Sequence, residues 1–202
     1  MAAALPRWVV PDHLTGLGLA ASTGVAAAYM LSNRNSAWLW AASLGLVVQW
    51  FGDSLDGTLA RVRRIERPRY GYYLDHITDA YSTFAIGLGL GLSPFMLLSI
   101  ALANVILYLI MSINVYLETY IFGEFKLGYG VFGPTEARVV LIGMNTLALL
   151  WGSFRFDVAG VSVTLFDVGA AATALGMLLL LLTRVWQNLR ALARLEPPRR
   201  PE

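Results

Sequence analysis

From Ala80 to Leu117 the chain carries no charged side chain, a run far longer than one membrane crossing needs. A spanning helix takes roughly 20 mostly apolar residues. Inside lipid every backbone N–H and C=O must be satisfied within the protein, so such a run has to fold as helix. The segment "GLGLSP", Gly89 to Pro94, divides the run, because proline and neighbouring glycines punctuate helices. Four further apolar runs accompany these two: Leu14–Leu31, Ala37–Gly52, Val139–Phe154 and Val161–Thr183. The run at Val139 is expected to open from Pro134, which suits a first helical turn, and the last is interrupted only by Asp167. Composition agrees: 57% of the 202 residues are hydrophobic and 14% charged, at a mean hydropathy of +0.60. Soluble domains lie nearer half apolar and a quarter charged. The predicted fold is an all-α integral membrane protein of six transmembrane helices around a cytoplasm-facing polar cavity. One domain spans 1–202, with an interfacial segment over about 1–12 and a basic tail over about 187–202.

The basic residues give the topology a direction. With six spans, thirteen of the fifteen lysines and arginines fall on the side of the N-terminus, and only Arg34 and Arg155 fall on the other. That bias orients membrane proteins with their basic loops in the cytoplasm, which predicts N-in and C-in. The basic tail then reads as a contact with anionic lipid. No aromatic–basic interleaving suggests a nucleic-acid surface. The N-terminal "MAAALPRWVVPDHL" has no long apolar core before Pro11 and does not read as a cleaved signal peptide. There is no cysteine, which excludes disulfides and thiolate metal sites, and there are only two histidines, His13 and His76.

Four aspartates interrupt this apolar background, in "GDSLDGTLARVRRIERPRYGYYLDHITDAYS". A charge near bilayer depth costs a few kcal/mol or more and faces a cavity, a partner or a ligand. Asp53 and Asp56 are spaced i,i+3, and Asp75 and Asp79 i,i+4, so each pair shares one helix face. On consecutive antiparallel helices the two pairs can face each other. Four close carboxylates repel and take up protons unless a cation intervenes, and hard oxygen ligands suit Mg²⁺ or Mn²⁺, as one ion or two. Gly57, Ala60 and Gly71 keep the helix surfaces thin beside them, and Arg61 offers a planar fork for a phosphate. Together these features describe a diphosphate-containing ligand at a membrane surface.

Plainer readings exist for each feature. The aspartates can pair with the loop arginines across the helices. Gly57, Ala60 and Gly71 can be a small-residue helix contact. Arg63, Arg64, Arg67 and Arg69 can be simple cytoplasmic anchors, and His76 a helix-surface residue beside Asp75. Asn104 and Asn114 read as hydrogen bonders between helices.

The sequence Asp53-x-x-Asp56-Gly57-x-x-Ala60-Arg61, nine residues, then Gly71-x-x-x-Asp75-x-x-x-Asp79 closely resembles the signature of the CDP-alcohol phosphotransferases. "PDHLT", Pro11 to Thr15, is similar to the Pro-Asn-x-x-Thr that opens the family's first span, with Asp12 in place of the asparagine. The resemblance implies six spans and a homodimer. It implies Asp53, Asp56 and Asp75 as ligands of two ions of Mg²⁺ or Mn²⁺, with Asp79 sharing the site and acting as general base. It implies a CDP slot formed by Asp56, Gly57, Ala60, Arg61, Gly71 and Thr15. The implied reaction is attack of an alcohol hydroxyl on the β-phosphorus of a CDP-linked donor, with CMP leaving.

The family divides between CDP-diacylglycerol donating to a polar alcohol and a CDP-amino alcohol donating to diacylglycerol. "LDHITDAYST", Leu74 to Thr83, is similar to the choline/ethanolamine phosphotransferases, whereas the small six-span plan resembles microbial CDP-diacylglycerol enzymes of an inner membrane. The second is preferred here. In "EFKLGYGVFGPTEARVV" the residues Lys126, Glu136 and Arg138 are candidates, with His76, for an acceptor or headgroup pocket; an ordinary helix start at Pro134 is the plainer reading. Two other functions bear weighing. A prenyl-diphosphate transferase would want a second, distant aspartate-rich pair. An ion transporter would leave Gly57, Ala60, Arg61 and Gly71 without a shared purpose.

Overall fold

The computed structural model describes residues 2–123, 133–158 and 160–197. Lys126 of the expected acceptor pocket and Arg199 and Arg200 of the tail lie outside the described residues. Six long helices dominate: α1 (Pro11–Leu31), α2 (Trp38–Arg63), α3 (Pro68–Gly91), α4 (Leu98–Phe122), α5 (Pro134–Trp151) and α6 (Leu165–Leu195). Proline stands at the start of α1, α3 and α5, where its missing N–H is not needed. The α2–α3 connection is short because Arg64 turns into the left-handed region, φ 56°, and closes α2 with Ile65 N–H donating to Ala60 O at 3.0 Å.

Several boundaries differ from the sequence expectation, each for a local reason. Helices α2 and α3 do not stop at the charges. They run through them, so all four aspartates are helical and the uncharged part of α3 begins only at Ala80. The sixth apolar run is not one helix. Val161–Thr164 is a strand, paired antiparallel with Arg155–Val158 in the register Arg155↔Thr164 and Val158↔Val161. Helix α6 starts after it because Thr164 Oγ1 accepts from Asp167 N–H at 3.3 Å while Asp167 Oδ2 accepts from Thr164 N–H at 2.8 Å. Asp167 therefore caps a helix instead of interrupting one. The tail expected from about 187 is helical as far as Leu195. Among the described residues three helices, α1, α4 and α6, are long and apolar enough to cross a membrane; α2, α3 and α5 dilute their apolar runs with polar or charged residues toward one end.

Helix α1 packs against both α2 and α3; α3 continues to α4, α4 to α6, and α2 to α5. The α1–α2 contact is close because glycine allows it: a Cβ on Gly52 would stand 2.6 Å from Leu14 O and 2.9 Å from Gly18 N. The core between the helices holds Val25, Tyr29, Leu39, Leu46, Leu90, Phe95 and Phe166. Its polar members are paired. Tyr29 Oη donates to Asn145 Oδ1 at 3.2 Å, and Asn145 Nδ2 donates to Ser43 Oγ at 3.1 Å.

The two ends of the bundle differ. At one end Asp167 Oδ1 accepts from Leu97 N–H at 2.7 Å and Asn33 Nδ2 donates to Leu92 O at 2.8 Å, so backbone and neutral groups do most of the joining. At the other end charged side chains join the helices. Glu118 of α4, buried, accepts from Arg184 at 3.0 Å and from Asn188 at 2.5 Å, both on α6. Asn104 donates to Ala170 O on α6 at 3.0 Å, as expected of an interhelical bond, while Asn114 donates to Glu118 on its own helix at 2.6 Å.

Candidate active site

The charged end of α2 is fixed from three directions. Arg63 donates to the carbonyls of Leu5 and Pro6 at 2.9 Å and to that of Val9, which holds the N-terminal segment under the helix. Arg67 donates to both oxygens of Asp12 at 2.6 and 2.8 Å and lies 3.8 Å above the Tyr70 ring. Asp12, where the family signature has asparagine, is thus the residue that ties the start of α1 to the α2–α3 connection. Two of the loop arginines have protein partners, and neither partner is one of the four aspartates.

Within this frame Asp53, Asp56 and Asp79 line one open cleft together with Thr15, Gln49, Thr78 and Ser82. The i,i+3 spacing puts Asp53 and Asp56 on the face of α2 that looks toward α1 and α3, as the sequence predicts. Thr15 Oγ1 donates to Asp56 Oδ2 at 2.7 Å, and Gly57 N–H donates to Asp56 Oδ1 at 2.5 Å. Arg138 Nη2 donates to Asp53 Oδ2 at 2.7 Å. Asp75 is more exposed and does not line the cleft; its Oδ2 stands 3.7 Å from His76 Nδ1.

The four carboxylates lie at the polar ends of α2 and α3, outside the uncharged runs, and they feel one another. Arg138 neutralises part of their charge through its ion pair with Asp53. A cluster of oxygens with this surplus of negative charge has the chemistry of a hard divalent-cation site. Among the described residues no three His, Cys, Asp or Glu side chains already form a closed ligand set. Mg²⁺ commonly takes only one or two carboxylates and completes its shell with water and substrate phosphate oxygens, so the donor set fits such an ion.

Gly57 and Gly71 face open space among the described residues. A Cβ on Gly71 would meet no described atom within 4 Å, and one on Gly57 only the end of the Arg61 side chain at 3.6 Å. Packing against the described residues therefore does not explain either glycine, in contrast to Gly52. Arg61 is exposed and donates to Thr58 Oγ1 at 3.3 Å, so its fork lies over Gly57; Ala60 is half-buried one residue before it.

The remaining candidates divide. Arg138 reaches the aspartates themselves, its Nε donating to Gln49 Oε1 at 2.6 Å. Glu136 closes the first turn of α5, accepting from Gly133 N–H at 2.8 Å, which is the helix-start role. His76 bonds Tyr72 O at 2.7 Å through Nδ1 and packs on the Tyr72 and Tyr116 rings, 4.1 and 5.1 Å between centroids. Sequence reasoning missed Gln49. The signal was present: a polar amide inside an uncharged run, one turn before Asp53, is a costly residue in lipid and needs a reason.

Comparison with curated proteins finds no match. A family model described as CDP-alcohol phosphatidyltransferase matches residues 8–193, which takes in all six helices to within two residues of the end of α6 and every aspartate of the cleft. The chain belongs to the CDP-alcohol phosphatidyltransferase family.

Proposed function

We propose that this protein is a phospholipid-synthesising enzyme that moves a phosphatidyl group from CDP-diacylglycerol to the hydroxyl of a small polar alcohol, releasing CMP. It works at the cytoplasmic face of a membrane, a prokaryotic inner membrane, that it crosses six times, N-in and C-in, as a homodimer. The observation that carries the reading is the cleft in which Thr15, Asp53, Asp56 and Asp79 meet, with Gly57 next to Asp56 in the chain and no described atom within 4 Å of a Cβ placed on Gly71.

The roles follow from position. Gly57, Ala60 and Gly71 leave the helix surfaces open to the flat cytidine and its diphosphate, Arg61 pairs with phosphate, and Thr15 holds Asp56 in place. Asp53, Asp56, Asp75 and Asp79 would hold one or two Mg²⁺ or Mn²⁺ ions, whose chemistry is to neutralise the diphosphate and the departing CMP. Asp79 accepts the proton of the acceptor hydroxyl. The alcohol oxygen forms a bond to the β-phosphorus, the bond from that phosphorus to the CMP oxygen breaks, and the proton ends on the Asp79 carboxylate. Such transfers depend on positioning and charge neutralisation more than on covalent help.

The opposite direction, CDP-choline or CDP-ethanolamine to diacylglycerol, rests on the similarity around His76, and His76 does not line the cleft. The test is CMP release by purified protein given CDP-diacylglycerol with a panel of polar alcohols, or CDP-choline with diacylglycerol, in the presence of Mg²⁺ or Mn²⁺. CMP from CDP-diacylglycerol with one alcohol is expected. CMP only from the second combination reverses the direction. Diphosphate release from prenyl donors, or cation flux in liposomes without CMP, would sink the reading altogether.

A further inference from the structure

Each carboxylate that α2 contributes to the cleft is gripped from another helix through one oxygen. For Asp56 the grip is Thr15 of α1, at 2.7 Å from Oδ2. For Asp53 it is Arg138 of α5, at 2.7 Å from Oδ2, while Oδ1 accepts no hydrogen bond among the described residues. Arg138 has no freedom to hold Asp53 loosely. Its side chain is 12% exposed, and its Nε is bound at 2.6 Å to Gln49, which is 3% exposed and lies one turn before Asp53 on the same helix. One guanidinium thus spans a turn of α2, with its two donors on two residues spaced i,i+4. A buried amide without a partner is costly, so Gln49 holds Arg138 as firmly as Arg138 holds Gln49.

We propose that Gln49 and Arg138 form a positioning clamp that fixes the Asp53 carboxylate, leaving one of its oxygens for a divalent cation in the cleft. This rests on the cation-dependent reading above, since it concerns how Asp53 is presented to the ion. The alternatives make different demands. If Arg138 merely ties α5 to α2, its loss weakens the fold and leaves cation affinity alone. If Arg138 competes with the ion for Asp53, loosening it strengthens cation binding. A clamp requires the reverse: loosening it weakens cation binding, because partners that orient a ligating carboxylate typically contribute about 10–100-fold in affinity or activity.

Mn²⁺ binding to the purified full chain in detergent, read from the loss of the free-ion EPR signal, tests this without substrate or turnover. The variants are Arg138→Lys, which keeps the charge but not the fork, and Gln49→Leu, which keeps Arg138 intact but removes its anchor. Each is expected to weaken Mn²⁺ binding roughly tenfold, with helical circular dichroism unchanged; Asp56→Asn serves as the reference that loses a proposed ligand. Unchanged affinity in both variants, with wild type binding and Asp56→Asn impaired, overturns the clamp and leaves the metal reading standing. Tighter binding in Gln49→Leu makes Arg138 a competitor and likewise overturns it. No Mn²⁺ binding by wild type removes the metal reading and the clamp with it. Should one variant fail to fold, the other decides.

Discussion

Asp79 and Gly71 sit eight residues apart on α3 and carry opposite kinds of information. Asp79 is read through what it does to a proton. Asp79→Asn keeps the size and removes the base, so we expect transfer to fall by about 10²–10⁴-fold, the usual contribution of a positioned base. Mn²⁺ binding should persist through the remaining carboxylates. A variant with full CMP release would end the base assignment. Gly71 is read through what it leaves empty. Since a Cβ there touches nothing within 4 Å, Gly71→Leu should leave thermal stability level or slightly raised, glycine being about 0.5–1 kcal/mol worse than alanine inside a helix. Its KM for the CDP-linked donor should nevertheless rise at least roughly tenfold, a loss of ~1.4 kcal/mol. An unchanged KM would mean that the slot lies elsewhere. These two residues were legible in the sequence because they stand at positions of the motif that resembles the family signature. Arg138 was legible as a candidate for an acceptor pocket and not as a partner of Asp53. Its bond to Asp53 crosses 85 positions of sequence, and no periodicity within one helix predicts a partner on another.

At the scale of elements, the helices were legible and their ends were not. Charge-free runs mark where a helix is apolar, yet a helix does not end where it becomes polar, so α2 and α3 extend through the motif by ten or more residues beyond the runs expected for them. The strand at Val161–Thr164 was hidden for the reverse reason: it is apolar enough to merge with α6, although Val161 and Val163 alternate with Ser162 and Thr164 as a strand requires. Glu118 was passed over because it follows the long uncharged run, yet it is the carboxylate that joins α4 to α6. The α1–α2 contact supplies the prediction here. Gly52→Ala places a methyl 2.6 Å from the Leu14 carbonyl and 2.9 Å from the Gly18 nitrogen, both backbone atoms of α1 that no rotamer change can move. Overpacking of this kind typically costs about 1–3 kcal/mol. The melting temperature in detergent should fall, and the donor KM of the folded fraction should rise because Thr15 moves with α1. Equal melting curves for variant and wild type would show that α1 slides freely on α2.

The whole molecule places its chemistry at one end. The start of α1, the end of α2, the start of α3 and the start of α5 meet at the cleft, and the Glu118–Arg184 pair marks the same end of α4 and α6. Arg34 and the hairpin of Arg155–Thr164 lie at the opposite end. This alternation is what six crossings would give, and it matches the bias of the basic residues. Six crossings and three differ in a way that labelling can read. If only α1, α4 and α6 spanned, the α1–α2 turn at Arg34 and the α2–α3 connection at Glu66 would face the same side of the membrane. The chain has no cysteine, so a single introduced thiol is the sole target for a membrane-impermeant maleimide. Arg34→Cys and Asp157→Cys are expected to label on intact cells, and Glu66→Cys only after permeabilisation. Labelling of Arg34→Cys and Glu66→Cys from outside, with Asp157→Cys protected, is what crossings by α1, α4 and α6 alone would give, and the reverse of the expected pattern would turn the protein over. The orientation bears on the proposed chemistry: a cleft that opened to the cytoplasm would receive a nucleotide-linked donor and release CMP on the side where nucleotides are made.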